Sequence, residues 1–568
     1  MMYQQLRRPI EDRERGAALI MVLGVGALAI ALLATMIAFV AAGQRHARQD
    51  VSTNGALAAA YAGVEEYSSR ITAQWDYVYK GNVSAPFSRT SAAVLRPDRS
   101  NPAFGFDGSW ATVAGSDGAA LFRYEVDASQ YDAHGTVRLR STGMVGQEIR
   151  TVIADLRQDG FLRYLYFTDF ETLDPWQSGQ SSTCSNYQWA RPSTCTNINF
   201  DNGDVVTGRV HSNDVIVVCT ATFNDEVSSA WTQRDSATGM RFKRTGCDST
   251  DRATFNRGDP QWGGPFYRNR LEMPQTNTDI RTDALEWGCV FTGPTRITLT
   301  GDGYMQVRSP LTKSTRPLTS TPNPTSCGAV GKNAGQLGHA DGARMRVPEN
   351  GAIYVQNASR PVGDPNYLAS QPAYCSNATN SNGVGYPLPN EIVPAAIGTV
   401  AAYGCTNGDL FVEGTLNGQV TLAAENYAYV VGDLRYGDPD RDLLGLIGNT
   451  VWVHNPAYSC TRVSGRDRCS IDSPDRHIDG AIMALRSFTV QNFTKGGDMN
   501  GLLNVRGSIV QRYRGAVAQY SGYIKRYVYD DRLLYRSPPH FLSPMNSNYG
   551  VSTWFEVDPA VNADGSWR

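Results

Sequence analysis

No cysteine precedes Cys184, and no Cys-x-x-Cys spacing occurs anywhere in the chain. Seven histidines stand singly at positions 46, 134, 211, 339, 454, 477 and 540, with no His-Glu-x-x-His or His-x-His among them. Zinc centres are built from such paired ligands, so a metal site of that kind is not expected. No glycine-rich loop ends in Lys-Ser/Thr between a strand and a helix, which excludes a phosphate loop. Lysine is scarce, net charge is −2 and the pI is about 6.4. A nucleic-acid partner is therefore not expected. The most informative absence is charge: the stretch from Ala17 to Ala42 carries none.

That uncharged run follows a short charged leader ending in Arg15-Gly16. At about 1.5 Å per residue, a helix of this length spans roughly 39 Å, more than the roughly 30 Å of a hydrocarbon core. A secretory signal has an apolar region of only about 7–15 residues, so this run is too long for one. Four arginines before it favour a cytoplasmic N-terminus. A single-pass anchor in membrane lipid is the minimal reading.

The chain has 568 residues, enough for two to four domains. All ten cysteines lie beyond the span: Cys184, Cys195, Cys219, Cys247, Cys289, Cys327, Cys375, Cys405, Cys460 and Cys469. An even count there suits disulfides in an oxidising compartment. Connectivity stays open, with pairing of sequence neighbours the economical choice.

The predicted fold class is α+β, mostly β. Leu57, Tyr61, Val64 and Tyr67 recur at helical spacing, which extends the membrane helix to about residue 78, with a bend near Gly43 or Asn54-Gly55. Residues 119–127, 136–145 and 148–158 alternate apolar and polar residues. They predict a small antiparallel sheet with a hairpin at Val145-Gly146. Later segments repeat a short β-type run, a glycine and another β-type run. Gly414, Gly432 and Gly448 recur at a nearly regular interval. That spacing suggests a large head built as a parallel β-solenoid, or β-helix, with a β-sandwich as the competitor. The expected organisation is a leader at 1–16, an N-terminal helix at 17–80, and a small sheet at 81–160. A β-rich region with long insertions follows at 161–345, in which residues 226–345 read as insertions rather than rungs, then the solenoid at 346–540 and a C-terminal cap at 541–568. Within 273–289 one short helix is expected.

The stretch RGAALIMVL, followed by ALAAAYAGVEEYSSRI, resembles a class III (type IV prepilin) signal and its helix. It looks like PilX-type minor pilins and K-type minor pseudopilins, and the likeness covers about residues 7–160. The resemblance implies cleavage between Gly16 and Ala17 by a prepilin peptidase. It also implies partnership with other minor and major pilins and with an inner-membrane assembly platform. Most pilins carry Glu at the fifth position after the cut, where it pairs with a neighbouring subunit's N-terminal amine. This chain has Met21 there, which cannot make that pair. A subunit with no neighbour above it does not need it. The resemblance thus implies a structural subunit that primes or caps a type IV pilus-type filament. Its extracytoplasmic head would be displayed at the cell surface for adhesion to a glycan or protein ligand. The alternative is a membrane-tethered carbohydrate-binding or carbohydrate-active β-helix protein.

Catalysis is not expected, and neither is a cofactor. His211-Ser212-Asn213-Asp214 brings triad residue types together, but neighbours on a strand point to opposite faces. A corner is the expected role. The acidic loop Gly437–Asp442 has oxygen ligands for Ca²⁺ but lacks the full EF-hand pattern and contains Arg441. A solvated loop is expected. Asp433, Arg435 and Tyr436 could share a solenoid face, which by itself gives no activity. The tyrosine-rich stretch 513–535 is expected to cover the solenoid end, with an exposed binding face as the second reading.

Overall fold

The computed structural model describes residues 14–568 except 84–86, 88, 90–97, 130, 132–135, 159, 202, 237–238, 317–324, 359, 376–380, 398–399, 497–500, 535, 543–548 and 563. Most of the leader, residues 1–13, lies outside the described residues. The chain divides into two compact units. Unit 1 comprises residues 1–132, 136–157 and 549–568, and unit 2 comprises residues 158–548 with 133–135. Unit 2 is thus an insertion in the chain of unit 1.

Unit 1 is a long helix on a sheet. Helix α1 (Glu14–Ala73) runs unbroken through Gly43 and Asn54-Gly55, and a 3₁₀ turn at Trp75–Tyr79 follows it. Alanine and leucine dominate its first half, and both hold a helix at little conformational cost. From residue 56 onward one face is buried: Ala56, Ala60, Val64, Tyr67 and Ile71 recur at three- and four-residue spacing. That face lies on strands β2 (Ala120–Asp127) and β3 (Thr136–Val145). Strand β1 (Ala111–Thr112) pairs antiparallel with β2, and β3 pairs antiparallel with β4 (Glu148–Gln158). The β3–β4 turn is tight because Gly146 adopts φ 62°.

Helix and sheet meet almost backbone to backbone. A Cβ on Gly143 would sit 2.1 Å from the Ala56 carbonyl oxygen and 2.3 Å from the Ala60 nitrogen. Beside it, Ser141 Oγ donates to the Ala60 carbonyl at 2.7 Å. Small residues on both partners make this approach possible.

The fifth strand of this sheet is Tyr549–Val557, next to β4. The C-terminal segment therefore does not cap the large β region, as the sequence suggested; it completes unit 1. Ser68 Oγ donates to the Tyr549 carbonyl at 2.8 Å. Buried Arg123 donates to the Gly565 carbonyl at 2.8 Å and lies 4.2 Å from the Trp567 ring and 5.5 Å from the Trp110 ring. These contacts tie both chain ends of the unit into one core.

Unit 2 is organised by three ladders of parallel strands. The longest stacks Cys289–Thr292, Gly351–Gln356, Gln419–Ala424, Leu443–Gly448 and then Arg476–Ala484 and Gly501–Tyr513. It continues through Tyr166–Phe170, Val210–Ser212, Val227–Ser229 and Phe266–Tyr267. Ile353, Leu422, Leu446, Ile482, Ile509 and Tyr166 fall in one register and form an unbroken buried column. A second column joins Leu434, Ile478, Val505, Tyr527, Val206 and Phe223. A third joins Ile297, Val412, Val430, Val453 and Val490. All three columns belong to one hydrophobic core.

Stacking order departs from chain order at one place: Tyr166–Phe170 follows Gly501–Tyr513. Residues 268–288 must therefore travel back along the stack. They do so in contact with it. Leu271 N donates to Asn213 Oδ1 at 3.0 Å, Arg512 Nη2 to the Pro274 carbonyl at 2.9 Å, and Asn277 Nδ2 to the Ala424 carbonyl at 2.7 Å. The return segment includes a helix at Thr278–Trp287. Its Met273, Ile280 and Ala284 bury the outward column of Phe167, Val510, Met483, Ile447, Ala423 and Tyr354.

Residues 226–345 were expected to be insertions. Several of them instead form ladder strands, some only two or three residues long, too short to show alternation. The ten cysteines form five disulfides, 184–195, 219–247, 289–327, 375–405 and 460–469, each between sequence neighbours. Cys460–Cys469 closes an antiparallel hairpin that projects from the stack, which explains the long gap between Gly448 and Gly480.

Candidate functional site

Two surfaces carry functional information, one in each unit. The first is the N-terminal half of α1. Between Leu19 and Val40 its large apolar side chains are mostly exposed, Met21 at 71 % and Phe39 at 81 %. From Ala18 the helix is long and apolar enough to cross a membrane. So long a stretch of solvent-facing Leu, Ile, Val and Met is stable only in lipid or against other helices. Gly16 and Ala17 lie within the first turns of this helix.

Beyond the apolar stretch of α1, Glu66 is tied to the sheet. Tyr124 Oη donates to Glu66 Oε2 at 2.9 Å, and Asn101 Nδ2 donates to Tyr124 Oη at 2.7 Å and to Tyr77 Oη at 2.9 Å. Tyr77 Oη in turn donates to Asp98 Oδ2 at 2.9 Å. Burial pushes the Tyr77 hydroxyl up to about 12, so it stays a donor. The network fixes the helix end against the head of unit 1.

The sequence candidates for chemistry are dispersed or consumed by structure. His211 is fully buried; Nδ1 lies 2.9 Å from Ser228 Oγ and Nε2 lies 3.3 Å from Asn213 Oδ1. Burial pushes its imidazole down to about 4, against the upward pull of Asn213. Asp214 turns away to Arg191 Nη1 at 2.6 Å, and Ser212 Oγ accepts from Thr168 Oγ1 at 2.9 Å. The residues 211–214 do not assemble a triad. Asp442 accepts from Gly418 N at 2.8 Å and Asp438 N at 2.7 Å, closing its loop with protein donors. Asp433 accepts from His477 N at 3.0 Å and pairs with Arg435. Tyr523 and Tyr527 are core residues, each 1 % exposed. The tyrosine-rich stretch is thus no open binding face and covers no end: its strand lies mid-stack, between Gly501–Tyr513 and Val205–Thr207.

A buried acid–imidazole–phenol group escaped the sequence reading. Tyr403 Oη donates to Glu391 Oε1 at 2.5 Å, and His454 Nε2 lies 3.2 Å from the same oxygen. All three are under a tenth exposed and are enclosed by Tyr386, Phe411 and Tyr429. Buried together, the three satisfy one another's polar atoms.

No protein-family model and no curated protein matches this chain. Among solved structures, the crystal structure of the competence-associated pilin ComZ from Thermus thermophilus aligns with 89 % of this chain and 97 % of its own length. Identity is 11 % and the TM-score 0.26, too low for either to carry an argument.

The second surface lies at one end of unit 2, where Thr254–Phe255 and Phe266–Tyr267 are, among the described residues, the last strands of their ladders. Phe255 stacks on Phe223 with centroids 5.1 Å apart. Beyond it, Trp262 and Tyr267 stand 48 % and 47 % exposed. The Arg234 guanidinium sits 3.9 Å from the Trp262 centroid, and that of Arg241 lies 5.5 Å from the Tyr267 centroid. Met240 packs beside the Gly263-Gly264 turn that lies between the two rings in sequence, since a Cβ on Gly263 would lie 3.3 Å from it. The signal in the sequence was local: residues 231–270 hold eight arginines and lysines against four aspartates, and of the eight Arg257 and Arg268 pair with Asp225 and Glu226. The charge of the whole chain hides it.

Proposed function

We propose that this chain is a minor-pilin-like structural subunit that primes or caps a type IV pilus-type filament and displays unit 2 for adhesion. The observation that carries the reading is the form of α1. One continuous helix leaves its apolar N-terminal half bare and packs its other half on a small sheet through alanine, glycine and serine. That division suits a subunit that rests in the membrane through its helix and passes it to a filament of like helices. Met21, bare and uncharged, supplies no carboxylate for a neighbouring amine, which favours an end position over the shaft. The insertion of Gln158–Asn548 between β4 and the last strand of unit 1 argues the same way, because a head of that size suits an end better than a dense shaft.

In this reading a prepilin peptidase cuts between Gly16 and Ala17, and other pilins and an inner-membrane platform are the assembly partners. The three parallel ladders of unit 2 are the walls of a solenoid that begins near residue 166 rather than 346. Its role is recognition, not catalysis. Mass spectrometry of the mature N-terminus is the direct test: the expected terminus is Ala17, and an intact Met1 in protein recovered with filaments overturns the reading. Labelling unit 2 on isolated filaments tests position, with label at ends expected and label along the shaft excluding the cap.

A further inference from the structure

We propose that the Trp262–Tyr267 end of unit 2 binds an acidic polysaccharide, with sugar rings on the two exposed aromatics and their carboxylates on the flanking arginines. The proposal deepens the display role and rests on unit 2 being the displayed head.

Four observations converge. Two large rings are about half exposed on a protein whose other tyrosines are mostly packed; Trp189, Trp287 and Trp554 are the further exposed tryptophans among the described residues. Each ring is held by a guanidinium on one side, which orients it and leaves the remainder of the ring to solvent. A flat, fixed ring is what a pyranose face stacks on, at little entropic cost. Second, the arginines keep uncompensated charge. Arg241 spends Nη1 on the Trp231 and Thr232 carbonyls at 3.0 and 2.7 Å, and Arg234 reaches only the Gly239 carbonyl at 3.4 Å. Among the described residues no carboxylate pairs with either. Two acids of the same segment accept from backbone N–H groups and not from these arginines: Asp259 Oδ1 from Gln261 N and Trp262 N, and Asp251 Oδ2 from Asp248 N.

Third, the surface is a poor template for protein. The two terminal strands are only two residues long, so they offer little edge for a partner strand. Fourth, the local excess of positive charge selects against neutral glycans and attracts anionic ones. Duplex DNA matches the charge but hides its ring faces, so it cannot use Trp262 and Tyr267.

The test uses the full chain in detergent micelles and affinity electrophoresis through gels containing polygalacturonate, neutral dextran or duplex DNA. Retardation by polygalacturonate alone is expected, weakening as salt rises from about 50 to about 500 mM. Trp262→Ala and Arg234→Gln should each weaken it by about tenfold, whereas Trp189→Ala, at another exposed tryptophan, should not. Both substitutions are at exposed or half-exposed positions, and an unchanged thermal melt certifies the fold. Equal retardation by dextran or DNA, no retardation by any polymer, or a loss confined to Trp189→Ala overturns the proposal. Each of these outcomes is independent of where the N-terminus is cut, so failure here and failure of the pilin-like reading are told apart.

Discussion

Unit 1 and unit 2 solve the problem of cohesion differently. Unit 1 has no cysteine and holds together by close approach: glycine and serine on β3 against alanine on α1, with a tyrosine–asparagine–carboxylate network at the helix end. Unit 2 stacks short strands whose hydrogen bonds mostly reach other rungs, and it adds five disulfides and several buried ion pairs. Short rungs gain little from local contacts, so the disulfides fasten segments close in sequence, while Arg514 and Glu171 fasten distant ones. A helix lying on a hairpin gains most of its cohesion from packing that a few small residues permit.

The sharpest way to break the comparison is at the join where stacking order departs from chain order. Arg514 donates to Glu171 across that join at 2.7 Å, both side chains are 1 % exposed, and Arg514 also lies 3.7 Å from the Phe200 ring. Arg514→Ala leaves a buried carboxylate without its partner and should cost about 3–5 kcal/mol. Urea unfolding read by hydrogen exchange should show the loss in unit 2 only. Pairing Arg514→Met with Glu171→Leu should recover most of it.

Removing the Cys289–Cys327 bridge with paired serines comes next. The two cysteines are separated by 38 positions in sequence. Loss of a bridge closing a loop of that size should lower the stability of unit 2 by about 3–4 kcal/mol. Reductant should likewise shift the melting of unit 2 and leave unit 1 unmoved. A shift in unit 1 would contradict the division.

Two buried groups in unit 2 give opposite responses to pH. His211 falls from its usual 6.5 to about 4 because burial disfavours its charged form. The unfolded chain then binds the extra proton, so this contribution is present above about pH 6.5 and is lost as pH falls toward 4. Asp409 is pushed by burial up to about 7. The folded form holds its proton longer, so its contribution is present below about pH 4 and is lost as pH rises toward 7. The two slopes oppose each other across one window, and each is worth at most about 3–4 kcal/mol. His211→Gln should therefore make unit 2 gain stability on acidification relative to wild type, and Asp409→Asn should make it lose stability. Parallel curves for wild type and both variants from pH 4 to about 7 would refute this.

How much of this was legible in the sequence differs between the units for the same physical reason. The apolar half of α1, the helical stripe from Leu57 to Tyr67 and the turn at Gly146 are local patterns, and each fits within a short window of sequence. The glycine spacing in residues 414–448 likewise announced repeated short strands. Stacking order is not a local property. Nothing near Tyr166 shows that it lies against Ile509, and nothing in Tyr549–Val557 names β4 as its neighbour. The candidate site was hidden in another way: Trp262 and Arg234 stand well apart in sequence and become adjacent only after the loop folds back.

The smallest expected effect tests unit 1 by a single methyl group. Gly143→Ala places a Cβ where the helix backbone already lies, 2.1 Å from the Ala56 carbonyl oxygen. Neither partner is a flexible side-chain end, so helix and strand must separate by about 1 Å, enough to loosen packing along Ala56, Ala60 and Val64. The Ser141 hydroxyl would also be drawn from the Ala60 carbonyl. Such overpacking costs about 1–3 kcal/mol. The expected result is faster hydrogen exchange in residues 56–71 and 136–157, with the amides of unit 2 unchanged. A second substitution separates close approach from hydrogen bonding: Ser141→Ala removes only the hydroxyl and should cost about 1 kcal/mol. If Gly143→Ala costs no more than Ser141→Ala, the helix and sheet are not held by close approach, and the contrast between the two units fails on the side of unit 1.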